Sequence, residues 1–151
     1  KDCVCAPGVV QNYLNKISGP LLDRIDIHIE VTPVKFDELS DKRPAEPSEH
    51  VRDRVMKARL LQEARFEKNK GIYCNAQMTK QMINQHCEID QAGQALLKRA
   101  MERLGLSARA YDRILKVSRT IADLAESEAI LPEHLAEAIQ YRSLDRDSWA
   151  G

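Results

Sequence analysis

The sequence predicts a mainly α-helical protein, a helical bundle preceded by a short helix and one strand. Apolar residues recur with a 3.6-residue period over most of residues 48–142, which is typical of amphipathic helices. Residues 25–31 instead alternate strictly between apolar and polar, which is the period of a strand. Residues 32–47, rich in proline and charge, separate the two patterns and predict a linker.

The N-terminal part contains a predicted helix, a tight turn and the predicted strand. Helical spacing of Val10, Tyr13 and Ile17 favours a short helix over residues 8–16. Gly19 and Pro20 then predict a tight loop or a helix end, and Arg24 stands where that loop runs into the strand. The strand would place four β-branched residues on one face: Ile25, Ile27, Ile29 and Val31.

A long helix is predicted to begin at Ser48 and to stop near Gly71. Its inward face would hold residues at helical spacing, namely Val51, Val55, Ala58, then Leu61 or Gln62, and Arg65 or Phe66. We expect an extended stretch at residues 72–77 after it.

The remaining helices are predicted from residues that favour helix ends. Thr79 and Asp90 can cap a short helix and a longer one that stops before Gly105. Ser107 is a natural N-cap for a helix over residues 108–125, and Pro132 suits the first turn of the last helix. The helix after Ser107 would pack through a stripe of apolar residues: Ala110, Ile114, Val117, Ile121 and Leu124.

Composition and charge limit the functions that the chain could have. Its 151 residues, 43% hydrophobic and 30% charged, suffice for one core of domain size. Lys+Arg and Asp+Glu both number 23, so any basic surface for nucleic acid must be local. No apolar run approaches the ~18 residues of a spanning helix, and no signal-peptide pattern opens the chain. We therefore expect a cytoplasmic protein with no membrane partner.

The cysteines give no complete metal site. Cys3 and Cys5 form half of a four-ligand arrangement that begins two residues after Lys1, which indicates a fragment of a longer protein. Cys74 and Cys87 stand outside any ligand spacing and are expected to be reduced thiols. We expect no metal site in this chain, and zinc binding by Cys3 and Cys5 would need residues upstream.

Four motifs resemble those of AAA+ ATPases of the magnesium-chelatase-like competence family (ComM/YifB). The segment Gly19-Pro20-Leu21-Leu22-Asp23-Arg24-Ile25-Asp26 is similar to the family segment that carries the arginine finger. The match continues through residues 51–62, 106–115 and 120–124, and so runs through most of the chain.

The resemblance implies a domain organisation and a role. Residues 1–31 would be the C-terminal end of the AAA+ nucleotide-binding core, residues 32–47 the linker, and residues 48–151 the C-terminal helical lid. The full-length protein would be a hexameric ring that uses ATP and Mg²⁺ for motor work on DNA, including branch migration of recombination intermediates in natural transformation. This chain would supply the finger, a sensor arginine and the lid.

The motifs that bind the phosphates of ATP are absent from the sequence. A phosphate-binding loop needs Gly-x-x-x-x-Gly-Lys-Ser/Thr, and the chain contains no Gly-Lys pair. It also lacks an apolar strand ending in Asp-Glu that could hold magnesium. We therefore expect no ATP hydrolysis, and no bound ATP or Mg²⁺, for this chain alone.

Three arginines are the candidates for nucleotide chemistry. A guanidinium delivered from outside the site stabilises the charge that develops during phosphoryl transfer, and the resemblance assigns this finger role, in trans, to Arg24. The alternative is that Arg24 only pairs with Asp23 or Asp26. Arg109 matches the family's sensor-2 arginine, although on spacing alone it could be a surface arginine in the first turn of a helix. Arg113, one turn later, is a second nucleotide-binding candidate or an ordinary salt-bridge partner.

The long helix is rich in cations that could face DNA or a neighbouring subunit. Arg54 and Arg59 fall within the family motif and are the candidates for that contact. Acidic residues interleave with them, so a solvated charged helix is the alternative.

Two further functions compete with the DNA motor. One is a motor subunit for magnesium insertion into a porphyrin, which the wider family name suggests. The other is a free-standing helical interaction or DNA-binding module with no nucleotide role. A phosphate-binding loop upstream of Lys1 would separate the ATPases from the module.

Overall fold

The computed structural model of the protein describes residues 4–34 and 44–142. Within these ranges the chain forms seven α-helices: α1 (Pro7–Leu14), α2 (Gly19–Leu22), α3 (Ser48–Phe66), α4 (Lys80–His86), α5 (Gln91–Leu104), α6 (Ala108–Leu124) and α7 (Pro132–Gln140). A short 3-10 turn, Asn75–Gln77, lies between α3 and α4. The prediction of a mainly helical fold is confirmed. The predicted linker lies partly outside the described residues.

Three predicted capping residues begin their helices as expected. The side-chain oxygens of Thr79, Asp90 and Ser107 accept hydrogen bonds from backbone N–H groups in the first turns of α4, α5 and α6. Gly105 ends α5 in the left-handed conformation, with φ of 60°. Local sequence therefore determines these boundaries, because each cap satisfies a backbone donor that the helix leaves without a partner.

The predicted strand is wrong for the described residues, which contain no strand. Residues 27–34 have no regular secondary structure, and no neighbouring strand is present in the described ranges to pair with them. The alternation is also inverted: His28 is buried, whereas Ile27 and Ile29 are exposed. A two-residue period predicts that one face of a segment is buried and the other exposed, but it does not determine which of the two faces is buried. The expected extended stretch at residues 72–77 is also wrong in its second half, where the 3-10 turn forms.

The two long helices bury faces that agree with the predicted stripes only in part. In α3 the buried residues, Ala58, Gln62 and Phe66, belong to the predicted face, whereas Val51 and Val55 of that face are exposed. In α6 the buried set includes three polar residues, Ser118, Arg119 and Asp123. The apolar pattern missed these positions because it scores polarity and not the hydrogen bonds that make polar burial tolerable.

A charged cluster around Asp123 joins α3, the 3-10 turn and α6. Both carboxylate oxygens accept from the Arg65 guanidinium, at 2.7 and 2.5 Å. The same carboxylate accepts from Arg119 Nε at 3.1 Å and from Asn75 Nδ2 at 2.8 Å. The Asp123 side chain is fully buried and that of Arg119 is 5% exposed. We call these four residues the Asp123 cluster, and it determines how α3 sits against the rest of the bundle.

Apolar residues from α3 to α7 complete the bundle core, among them Phe66, Leu97, Ile114 and Leu135. Helices α5 and α7 approach closely at Gly93, where an added Cβ would lie 2.7 Å from Leu135 Cδ1. No helix in residues 4–34 and 44–142 has both the length and the apolar character needed to cross a membrane.

Candidate functional site

Residues 23–30, here called the Arg24 segment, contact the first two turns of α6 through Asp23 and Asp26. This contact joins two parts of the chain that are more than 80 residues apart in sequence. It joins the acids on either side of Arg24, Asp23 and Asp26, to Arg109 and Arg113 of α6, whereas the guanidinium of Arg24 itself contacts the Pro20 carbonyl.

Arg24 follows α2 directly and is exposed. Its Nη1 donates a hydrogen bond to the Pro20 carbonyl at 2.7 Å, which holds the side chain back over the single turn of α2. Among the described residues it forms no ion pair with Asp23 or Asp26, the two acids beside it. The described contacts therefore do not support the alternative that Arg24 only pairs with Asp23 or Asp26.

Asp23 is held by the N-terminus of α6. Its Oδ1 accepts from Ser107 Oγ at 2.7 Å and its Oδ2 accepts from Arg109 Nη1 at 3.1 Å. The Ser107 hydroxyl both donates and accepts, because the same Oγ accepts a hydrogen bond from the Ala110 N–H at 3.1 Å. A carboxylate is also favoured here by the positive end of the α6 dipole.

The environment of Asp23 keeps it ionised. Burial acts to raise the pKa of this carboxyl, but the hydrogen bonds from Ser107 and Arg109 and the charges of Arg109 and Arg142 outweigh burial and lower the pKa below its usual value. Since the folded-state pKa lies below the unfolded one, the stabilisation from Asp23 is present above the unfolded value, ~3.9, and is lost as the pH falls through the folded value. The contact is thus fully formed at neutral pH.

Asp26 makes a second ion pair with the same helix. Its Oδ1 accepts from Arg113 Nη1, and the Arg113 side chain is 25% exposed. Arg109 and Arg113 are four residues apart and so lie on one face of α6, about 6 Å apart along its axis. The segment is therefore attached at two points, one on each side of Arg24.

The residues that directly follow α7 also contact the segment. Arg142, whose side chain is 1% exposed, donates from Nη1 to the Ile25 carbonyl, and its Nη2 lies 3.9 Å from Asp23 Oδ1. The His28 N–H donates to the Tyr141 carbonyl at 2.8 Å. These contacts explain why the polar His28, and not its apolar neighbours, is the buried residue of the segment.

The predicted DNA or subunit contacts of α3 lie elsewhere and do not share a face. Arg54 is bound by Glu46 through both carboxylate oxygens, with an Nη2 to Oε2 distance of 3.1 Å. Arg59 lines a cleft between α3 and the 3-10 turn. Five residues of helix turn Arg54 and Arg59 about 140° apart, whereas Arg52, seven residues before Arg59, lies within about 20° of it. Arg52 is the better companion for Arg59 on one surface.

The sequence pointed to the cations of this site but not to the residues that hold them. The sequence indicates Asp23 and Asp26 only as possible partners of Arg24, and it gives no signal for Arg142. One signal was present: Arg109 lies in the first turn of a helix, where a cation is unfavourable without a compensating acid. That acid is Asp23.

The described residues offer no metal site. Residues 4–34 and 44–142 contain no group of three or more potential ligands among His, Cys, Asp and Glu. Cys3 lies outside these ranges, and Cys5 is exposed. The groups with chemistry to offer a nucleotide are the guanidiniums of Arg24, Arg109 and Arg113, which suit phosphate oxygens.

Comparison with known proteins gives two family matches that together span nearly the whole chain. Residues 45–142 match the family model described as magnesium chelatase, subunit ChlI C-terminal. Residues 1–39 match the model described as magnesium chelatase, subunit ChlI.

Several curated proteins are similar over more than nine tenths of this chain. Competence protein ComM of Haemophilus influenzae is 42% identical over 142 residues, which cover 93% of this chain and 27% of that protein. YifB of Escherichia coli is 40% identical over 144 residues, 94% of this chain and 27% of YifB. Rv2897c of Mycobacterium tuberculosis is 32% identical over 142 residues, 94% of this chain and 28% of that protein. The chain thus spans about a quarter of the length of these relatives.

Proposed function

The chain belongs to the magnesium chelatase subunit ChlI family, and from this premise we propose that it is the C-terminal part of a ring-forming AAA+ ATPase that does ATP-driven work on DNA. In this proposal residues 1–31 close the nucleotide-binding core, residues 32–47 link it to the lid, and residues 48–151 form the helical lid. ATP and Mg²⁺ would be bound by the full-length protein in the cytoplasm, and its self-assembly would be a hexamer.

The observation that carries the proposal is the state of Arg24. It is exposed, its guanidinium donates to the Pro20 carbonyl of the one-turn helix before it, and the acids at positions 23 and 26 are paired with other arginines. An arginine finger needs a guanidinium that can reach across the subunit interface and contact the phosphate bound by the neighbouring subunit. The name of the Haemophilus relative, a competence protein, supports DNA as the object of the work.

Arg109 has the chemistry of a nucleotide sensor in this proposal. Its ion pair with Asp23 is half exposed and therefore weak, about 0–1 kcal/mol. A nucleotide phosphate carries more negative charge and more acceptor oxygens than a carboxylate, so it can take Arg109 from Asp23. Arg113 would then be the less mobile of the two, since its side chain is more buried.

ATP turnover by the full-length ring tests the finger. Arg24→Ala should lower kcat about 10³- to 10⁵-fold, whereas Arg103→Ala, at an exposed position on α5, should leave it unchanged. Arg24→Lys should recover only part of the loss, because an ammonium lacks the planar fork of donors. Normal turnover by the Arg24→Ala ring would remove the finger assignment.

Mixed rings test whether Arg24 acts in trans. One subunit would carry Arg24→Ala and the other a disabled phosphate-binding lysine, so neither is active alone. In a head-to-tail ring, some interfaces of the mixture combine an intact finger with an intact nucleotide pocket, and turnover should return. Absence of turnover in mixtures that assemble would place Arg24 in its own subunit's site.

DNA binding would be assigned to Arg59 together with Arg52, and less to Arg54, whose charge is paired with Glu46. Each phosphate-contacting arginine that is removed should reduce the slope of log affinity against log salt by about 1. Arg52→Ala/Arg59→Ala should therefore reduce the slope by about 2 in an electrophoretic shift with the full-length ring, and Arg54→Ala should change it less. A ring with no salt-dependent shift would contradict a role on DNA.

The family description also favours a second candidate, a motor subunit for magnesium insertion into a porphyrin. The two candidates differ in what stimulates the ring. Branched DNA should raise ATP turnover in the first case, and a porphyrin-bearing partner should raise it in the second.

A further inference from the structure

The two acids that flank Arg24 have no role in the function proposed above, yet both are held by α6. Asp23 accepts from Ser107 and Arg109, and Asp26 accepts from Arg113. If either carboxylate were released, Arg24 would be the nearest arginine in sequence, and pairing with it would reduce the positive charge that a finger must deliver.

Two ion pairs constrain the Arg24 segment more than one ion pair would. A single ion pair would fix the distance of the segment from α6 but would leave it free to pivot. Pairs at Asp23 and Asp26, taken up by residues one helical turn apart, also fix its direction. Two exposed residues, Arg24 and Ile25, lie between the paired acids, and Arg24 is the one that carries a charge to present to a neighbouring subunit.

We propose that Asp23 and Asp26 form a clasp, in which Arg109 and Arg113 of the lid hold these acids and so position Arg24 for the neighbouring subunit. Asp23 and Asp26 are positioning residues in this scheme, since they act through Arg24 and do not touch the nucleotide. The inference rests on the proposed finger role of Arg24 and extends it: movement of the lid is transmitted to the finger through the clasp.

The first experiment tests the clasp in this chain without any ATPase assay. The His28 N–H donates to the Tyr141 carbonyl, so its hydrogen exchange reports whether the segment stays on the lid. Asp23→Asn/Asp26→Asn should speed exchange of this amide roughly 10-fold or more, since two charge-assisted attachments are lost. The matched control is Glu30→Gln, an exposed acid of the same segment, which should change it little. Unchanged exchange in the double variant would overturn the clasp.

The second experiment measures turnover of the full-length ring. Asp26→Asn should lower kcat roughly 10- to 100-fold, as expected for a misplaced catalytic group, with KM for ATP changed less than about 3-fold. The charge reversal Asp26→Arg with Arg113→Asp should recover most of the kcat that either single change removes. A folded double variant with no recovery would contradict the pairing.

The two proposals fail in different ways. Normal turnover after Arg24→Ala would remove the finger, while the exchange experiment would still report on the clasp. Loss of turnover after Arg24→Ala, together with normal kcat after Asp26→Asn, would keep the finger and remove the clasp.

Discussion

Replacement of Asp123 by asparagine is the most informative test of the bundle that carries the candidate site. Asparagine keeps the size of the side chain but removes the negative charge that two guanidiniums share. Arg119 is 5% exposed and Arg65 is 16% exposed at the side chain, so neither can recover full hydration when that charge is lost.

The expected cost follows from this burial. Removal of one partner from a buried ion pair typically costs about 3–5 kcal/mol, because a buried charge is left without compensation. Each kcal/mol lowers the melting temperature of a chain of this size by about 2–4 °C, so Asp123→Asn should lower it by about 6–20 °C. The loss should appear in the free energy of unfolding and not in the helix content of the folded state.

Urea unfolding followed by circular dichroism measures this loss. The matched control is Asp112→Asn, which breaks an ion pair with Lys80 whose side chains are 32% and 59% exposed. An exposed pair contributes about 0–1 kcal/mol, so the control should unfold close to the parent. If Asp123→Asn cost no more than Asp112→Asn, burial would not be what gives the Asp123 cluster its importance.

Two further predictions concern the core. Gly93→Ala should destabilise the chain by about 1–3 kcal/mol in the same urea experiment, because the new Cβ would lie 2.7 Å from Leu135 Cδ1 and Leu135 is fully buried; an unchanged midpoint would show that Leu135 can move aside. Burial raises the pKa of the Cys87 thiol to about 11, so at pH 8 it should resist a thiol reagent that modifies the exposed Cys5, with the modified sites read by peptide mass spectrometry. In urea Cys87 should react as well, and modification of Cys87 in the folded chain would contradict its burial.

The features that sequence predicted well are local. Thr79, Asp90 and Ser107 cap their helices as expected, because a cap depends on residues two or three positions apart. The cationic residues of the candidate site were named through motif resemblance, and their roles stay predictions.

The features that sequence missed depend on contacts between distant segments. The pairing of Asp23 with Arg109 joins positions 86 residues apart, and that of Arg65 with Asp123 joins positions 58 residues apart. Periodicity predicts neither pairing, because it treats Asp23, Arg109 and Asp123 as polar surface residues and offers Arg65 only as an alternative to Phe66 on the inward face of α3. Residues 27–34 show the same limit, since the partner of the buried His28 is the carbonyl of Tyr141, directly after α7.

Arg109 has two proposed roles that conflict, because as a sensor it would bind a phosphate and as part of the clasp it binds Asp23. If Arg109 moves to a phosphate, Asp23 loses one partner, and the segment would detach if that pair were its main support. Arg109 is 52% exposed, so its pair contributes little, whereas Arg142 is 1% exposed and donates to the Ile25 carbonyl. Withdrawing that carbonyl from a buried guanidinium would cost more than breaking the exposed pair. When Arg109 leaves, the segment keeps two attachments, the Asp26–Arg113 pair and the hydrogen bond from Arg142 to the Ile25 carbonyl. Its distance from the lid and its direction therefore stay fixed, and exchange of Arg109 between Asp23 and a phosphate is compatible with a positioned Arg24.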